Sequence, residues 1–232
     1  MAERHFLPIS NLFSRLLRWT ALATLLPSLL LSHAAAQSVC LPLPRLLSIT
    51  PMGGKAGSEF EVAIQSEHAE QIEQLRFQHP GIVASPIQDP ATGEQLEDRF
   101  RVTIAPDVPP GLYEARVLCR LGISAARIFS VGTLPDIIAP GANHAVASAC
   151  QIELNSIVNA TCTARAVDHF RWEAVAGTRY WIQCDARAID SKLDPVLIVA
   201  DADGRDLVAS RSGDRIDLTA TTDGPMVIKV HD

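Results

Sequence analysis

The sequence predicts an all-β chain of two successive sandwich units, and three observations carry that reading. Past residue 40, apolar and polar residues alternate with period two, broken by turn formers about every 8–12 positions. Proline and glycine are abundant, 15 and 13 in 232 residues, and supply those breaks. A Pro/Gly/Asn-rich segment from Pro135 to Asn143 then separates the strands into two sets. With 47% hydrophobic and 20% charged residues, the composition is globular, not disordered or collagen-like. A chain of this length accommodates one large domain or two of about 100 residues each.

Residues 1–36 read as a signal peptide. Arg4, Arg15 and Arg18 against Glu3 give them a net charge of +2 within a total of −6, which leaves −8 on the remainder. So acidic a remainder has no phosphate-tracking footprint, and nucleic acid is not an expected partner. The basic residues stop at Arg18, and the apolar run Trp19–Leu31 follows. Its 13 residues fall short of the roughly 20 that cross a bilayer. Ala34-Ala35-Ala36 offers small side chains to a signal peptidase, making Gln37 the expected mature terminus. The arginines are not paired as in a twin-arginine leader, and Val39 before Cys40 does not fit a lipobox. The mature chain is therefore expected outside the cytoplasm, in the periplasm or at the cell surface, without membrane insertion.

The first strand set occupies residues 45 to 132, with about seven strands expected. Phe60, Val62 and Ile64 alternate with Glu59, Glu61 and Ala63. Phe100, Val102 and Ile104 alternate with Arg99, Arg101 and Thr103, and Tyr113, Ala115, Val117 and Cys119 share one face. Side chains on a strand point alternately to opposite sides, so each run buries one face and wets the other. Glu67 to Gln74 reads equally as one helical turn or as a polar connection. In the second set, Phe170, Trp172 and Ala174 form an inward face, Ala176-Gly177 a turn, and Tyr180, Ile182 and Cys184 the next face. Val196–Val199 is continuously apolar, and Asp203-Gly204 marks a hairpin. Leu207–Ala209, Ile216–Leu218 and Met226–Val230 complete the set. Ending on that last run, the chain either closes its domain there or is a fragment.

Two blocks resemble known families. Leu46-x-x-Ile49-x-Pro51-x-Gly53-Gly54-x-x-Gly57, with Phe77-x-x-Pro80-Gly81 after it, resembles the immunoglobulin-like IPT/TIG type of extracellular domain. Val167-Asp168-x-Phe170-x-Trp172-x-Ala174-x-Ala176-Gly177 begins the second block. Asp190-Ser191-x-Leu193-Asp194-Pro195, Asp201-x-Asp203-Gly204-x-x-Leu207 and Asp223-Gly224-x-x-x-x-Lys229-x-x-Asp232 follow. That succession resembles the bacterial pre-peptidase C-terminal (PPC) domain, a jelly-roll-like β-sandwich found beside the catalytic domains of secreted peptidases. The resemblances imply an Ig-like sandwich over 41–133, a linker over 134–145 and a PPC-like sandwich over 146–232, cut short at its C-terminal end. They also imply either an extracellular interaction module or the accessory part of a secreted peptidase or hydrolase, with an associated catalytic domain elsewhere.

Catalytic signatures are absent from the sequence: no G-x-S-x-G elbow, no H-E-x-x-H helix and no phosphate loop. The five histidines past the leader, His68, His79, His144, His169 and His231, have no partner at catalytic spacing, so the chain is expected not to be an enzyme. Asp201-Ala202-Asp203-Gly204-Arg205-Asp206 lacks the EF-hand pattern and reads first as a hairpin turn with solvated carboxylates. A calcium site from Asp190, Asp194 and Asp201 is the alternative, since sandwich loops converge oxygen ligands; no other cofactor is expected.

Export permits disulfides. The five cysteines are Cys40, Cys119, Cys150, Cys162 and Cys184, with no C-x-x-C and no zinc spacing among them. One bridge per unit is the simplest arrangement, Cys40–Cys119 and a pair among Cys150, Cys162 and Cys184. Cys184 can sit reduced among apolar neighbours, which favours Cys150–Cys162 over the alternative Cys162–Cys184. Trp181 lies opposite in parity to Tyr180 and Ile182, so it either packs on a second face or contacts a ligand, an extracellular protein or polysaccharide.

Overall fold

The computed structural model describes residues 42–210 and 214–232. The expected leader and Cys40 lie outside the described residues. Nine strands form in the first set: β1 (Arg45–Thr50), β2 (Gly53–Lys55), β3 (Glu59–Glu67), β4 (Ile72–Phe77), β5 (Ile82–Gln88), β6 (Gln95–Ile104), β7 (Gly111–Cys119), β8 (Gly122–Ile123) and β9 (Arg127–Gly132). Two of them, β2 and β8, are short pairings that periodicity does not register. The segment after β3 is a polar connection, with His68 and Gln71 at positive φ before β4.

These strands make two sheets, β1-β3-β6-β5 and β2-β9-β7-β4, with β8 added on β7. The expected alternation decides which faces meet. Val62, Phe100, Val102 and Ile104 from one sheet and Ala115, Val117, Phe129 and Val131 from the other are all nearly inaccessible. Phe129 lies at the centre, 4.8 Å from the Phe77 ring and 6.4 Å from that of Phe60. Glu59 and Glu61, on the other face of β3, meet Thr103 and Arg99 across the strand pair and stay in water. Gly53 is needed where β2 passes β9, because a Cβ there would lie 2.3 Å from the Ser130 carbonyl oxygen.

The second set comprises β10 (Asp136–Ile138), β11 (Cys150–Gln151), β12 (Ile157–Asn159), β13 (Asp168–Ala174), β14 (Arg179–Gln183), β15 (Val196–Ala200), β16 (Asp206–Ser210), β17 (Arg215–Thr219) and β18 (Gly224–His231). A five-stranded sheet, β11-β13-β18-β15-β16, is accompanied by the ribbon β14-β17 and the parallel pair β10-β12. Phe170, Trp172, Tyr180, Leu197, Val199, Ile216 and Met226 form a second buried cluster. Only β14 and β17 make up the ribbon, so its inner face packs on that cluster while its outer face has no layer above it among the described residues.

Residues 134–145 carry more structure than a linker composition indicates. β10 pairs in register with β12, Asp136 opposite Ile157. Asn143 is buried, and its side chain donates to the His169 carbonyl at 3.0 Å while its own carbonyl accepts the His169 N–H at 2.8 Å. Asp136 accepts a hydrogen bond from Asn159 Nδ2 at 2.9 Å. Burial pushes its carboxyl above the ordinary range, against the opposing effect of Asn159 and the Lys55 backbone. A further tie joins the strand sets: Ile128 N–H on β9 donates to Asp190 Oδ2 at 3.0 Å.

No disulfide is present among the described residues, which corrects the expected Cys150–Cys162 bridge. Cys119, Cys150, Cys162 and Cys184 are free thiols. Cys150 Sγ on β11 is directed to the Gln151 carbonyl at 3.8 Å, whereas the Cys162 thiol lies against Asp168. The two side chains have different neighbours, so short sequence separation does not bring the sulfurs together. Cys119 is buried in the first core, its proposed partner Cys40 being outside the described residues.

Candidate functional site

The ribbon β14-β17 is where the fold exposes chemistry. Ala176-Gly177 turns the chain from β13 into β14, with Gly177 at φ 78°, where a side chain would be strained. The turn is held by side chains: the Tyr180 hydroxyl accepts the Val175 N–H at 2.8 Å, and Asp223 accepts the Ala176 N–H at 2.8 Å. Tyr180 is thereby drawn inward, its ring 5.8 Å from Trp172 at 63°, an edge-on aromatic pair. Strand parity then obliges Trp181 to point the other way. It is 57% exposed, the largest side chain so presented among the described residues. An indole left in water at this level forgoes about 1 kcal/mol or more of burial.

The neighbours of Trp181 follow from register. Trp181 faces Asp217, Arg179 faces Thr219 and Gln183 faces Arg215. The Arg215 guanidinium lies over the indole, 5.6 Å from the ring centroid, a cation–π arrangement. Arg179 grips Asp217 with two parallel bonds, Nε to Oδ1 at 2.7 Å and Nη2 to Oδ2. That fork holds the Asp217 carboxyl below the ordinary range, the hydrogen bond from Arg179 outweighing what burial there is, and raises the Arg179 guanidinium in turn. Gln183 Nε2 donates to Asp185 Oδ1 at 2.7 Å. The result is one exposed indole in a frame of polar side chains that are hydrogen-bonded to neighbours.

The carboxylates offered as calcium ligands do not come together, which corrects that alternative. Asp190 is engaged by the Ile128 N–H, and Asp194 by Arg187 Nη2 at 2.9 Å. Asp201 Oδ1 accepts the N–H groups of Asp203 and Arg205 at 3.1 and 2.9 Å, closing the hairpin at Gly204. Each carboxylate already serves a partner of its own, within its loop or across to β9, and no group of three metal-ligating side chains occurs among the described residues. Asp194 instead lines a cleft of about 220 Å³ with Cys184, Asp185 and Asp214.

One cluster was not legible in the sequence. His144 Nδ1 lies 3.1 Å from Asp168 Oδ1, and the Cys162 thiol lies against the same carboxylate. Asp168 is buried, and its Oδ2 accepts no well-formed hydrogen bond. Burial first, then the hydrogen bond to Asp168 and that carboxylate's charge, pushes the Cys162 thiol up to about 12. A thiol so raised is protonated at neutral pH and a poor nucleophile. No spacing rule links residues 144, 162 and 168; the β13 register and the loop before it bring them together.

No known family's sequence profile matches the chain, and no curated protein matches it. Among solved structures it is similar to the Bacteroides ovatus mixed-linkage glucan utilization locus protein SGBP-B in complex with a mixed-linkage heptasaccharide. That alignment has 9% identity and a TM-score of 0.29, covering 82% of this chain and 74% of that one. The D00-D0 domain of Intimin aligns at 9% identity and TM-score 0.28, covering 82% and 86%. Lac15 from a marine microbial metagenome aligns at 11% identity and TM-score 0.18, covering 72% and 52%. No helix among the described residues is long and apolar enough to cross a membrane.

Proposed function

We propose that this chain is a secreted, non-catalytic binding protein of the periplasm or cell surface, built from an IPT/TIG-like and a PPC-like sandwich. The observation that carries the proposal is the outer face of β14-β17, where a 57% exposed Trp181 stands among hydrogen-bonded polar side chains. Large exposed aromatics are retained at recognition surfaces because they bring contact area at little rotamer entropy. The alternation that signalled the sandwiches supports the architecture, and the raised Cys162 thiol supports a reading without catalysis.

Co-sedimentation of the full chain with insoluble cell-envelope and extracellular-matrix material tests this. Binding is expected, and Trp181→Ala is expected to weaken it by about thirtyfold, as loss of roughly 2 kcal/mol at an aromatic anchor would. Binding that is indifferent to Trp181→Ala, or hydrolytic turnover abolished by His144→Ala, would refute the proposal.

A further inference from the structure

We infer that the Trp181 face binds a neutral hexopyranose polysaccharide, one sugar ring stacking on the indole while its hydroxyls meet the surrounding side chains. The inference rests on the reading that this face is the binding surface, and it names the ligand class. Three observations point the same way.

The first is the ratio of apolar to polar groups. Along the outer face of the ribbon, Trp181 is the single large apolar side chain, flanked by Arg179, Gln183, Arg215, Asp217 and Thr219. A protein partner's anchor residue ordinarily sits within a wider dry patch that excludes water around it. A pyranose needs less: one face of C–H bonds, as wide as an indole, with a rim of hydroxyls. One aromatic ring inside a polar frame has those proportions, with Arg215 backing one side of the ring.

The second is the hydrogen-bonding capacity left over. Arg179 uses Nε and Nη2 on Asp217, leaving further N–H donors. Asp217 keeps lone pairs on both oxygens, and Gln183 gives Nε2 to Asp185 while its Oε1 has no partner among the described residues. Both donors and acceptors are therefore available beside the indole, which suits hydroxyls because each both donates and accepts. The bonds from Arg179 to Asp217 and from Gln183 to Asp185 already orient these side chains, which lowers the ordering a ligand must impose.

The third is charge. Both described cations on the face are compensated: Arg179 by Asp217, and Arg215 by Asp214 at 3.4 Å and by the indole it covers. Asp185 adds a further negative charge beside Gln183. A uronate or sulfated polymer would find no uncompensated cation among these residues and would approach a chain of net charge −6. An uncharged polymer meets neither obstacle.

The test is affinity electrophoresis of the full chain through gels containing laminarin, hydroxyethyl cellulose or yeast mannan, with polygalacturonate as the anionic counterpart. An extracellular-matrix protein mixture, immobilised on beads, serves as the protein arm. At least one neutral polymer is expected to retard the chain, equally at low salt and at about 0.5 M NaCl, where exposed charges are screened. Trp181→Ala should weaken that interaction by about tenfold or more, while Trp181→Phe retains it within a few-fold. Gln183→Ala should weaken it several-fold, a readout that simple apolar stickiness would not move. Near-ultraviolet circular dichroism confirms that each variant is folded. Preferential, salt-sensitive retardation by polygalacturonate would overturn the inference. Trp181-dependent capture on the protein beads without any neutral polymer bound would also overturn it, yet leave the binding-protein reading standing. Absence of Trp181-dependent binding in every arm would overturn both.

Discussion

Replacing Trp172 by phenylalanine tests how the second core is satisfied. Trp172 is 2% exposed, packed edge-on to Tyr180, and its Nε1–H is buried without a hydrogen-bond partner among the described residues. Truncation to alanine removes the whole ring and is expected to cost about 3–5 kcal/mol. Phenylalanine keeps a ring against Tyr180 and removes the unsatisfied donor. The smaller ring leaves roughly 40 Å³ unfilled, or about 1 kcal/mol of cavity, with about 1 kcal/mol of lost transfer energy besides. Against this stands the desolvation cost of an unpaired N–H, about 1–3 kcal/mol, which the substitution relieves. The two nearly cancel, so Trp172→Phe should change stability by no more than about 1 kcal/mol. Urea unfolding followed by far-ultraviolet circular dichroism, compared at equal m-value with the wild type and Trp172→Ala, measures both. If Trp172→Phe costs about as much as Trp172→Ala, the indole N–H is satisfied in solution and the reasoning fails.

Three further outcomes follow from close contacts and from protonation. Gly53→Ala should destabilise the first core by about 1–3 kcal/mol, because the new methyl meets the Ser130 carbonyl oxygen and the backbone of β9 must shift; an unchanged urea midpoint would show that β2 moves freely there. The Cys162 thiol is held protonated in the fold, so its contribution is fully present below the ordinary thiol range and is lost as pH rises from there to about 12. Cys162→Ser should flatten that alkaline loss, and at pH 8 native Cys162 should react with iodoacetamide roughly a hundredfold or more slower than in urea, as peptide mass spectrometry would quantify.

Much of the fold was legible in the order of residues. The faces Phe100/Val102/Ile104 and Phe170/Trp172/Ala174 turned inward as their period required, since burying alternate side chains needs only an extended backbone. The Asp203-Gly204 hairpin formed between β15 and β16 because its turn is built from adjacent residues. Expectations that depended on distant residues fared differently. Cys150 and Cys162 are close in sequence yet have separate neighbours, and Asp190, Asp194 and Asp201 each satisfy a local or cross-set partner instead of one ion.

The candidate site divides along the same line. Parity alone placed Trp181 opposite Tyr180 and Ile182, so its side of the strand was determined by the sequence. Whether that side was covered depended on how many layers the fold assembles, and only the tertiary structure decided it: no sheet lies over β14-β17 among the described residues. The same holds for its frame. Arg179 and Asp217 meet because antiparallel pairing sets β17 beside β14, and Arg215 reaches the indole through that register. Alternation is a property of one strand, read along the chain. Pairing and layering join residues far apart in sequence, where contact comes from closing loops and burying the cluster beneath them.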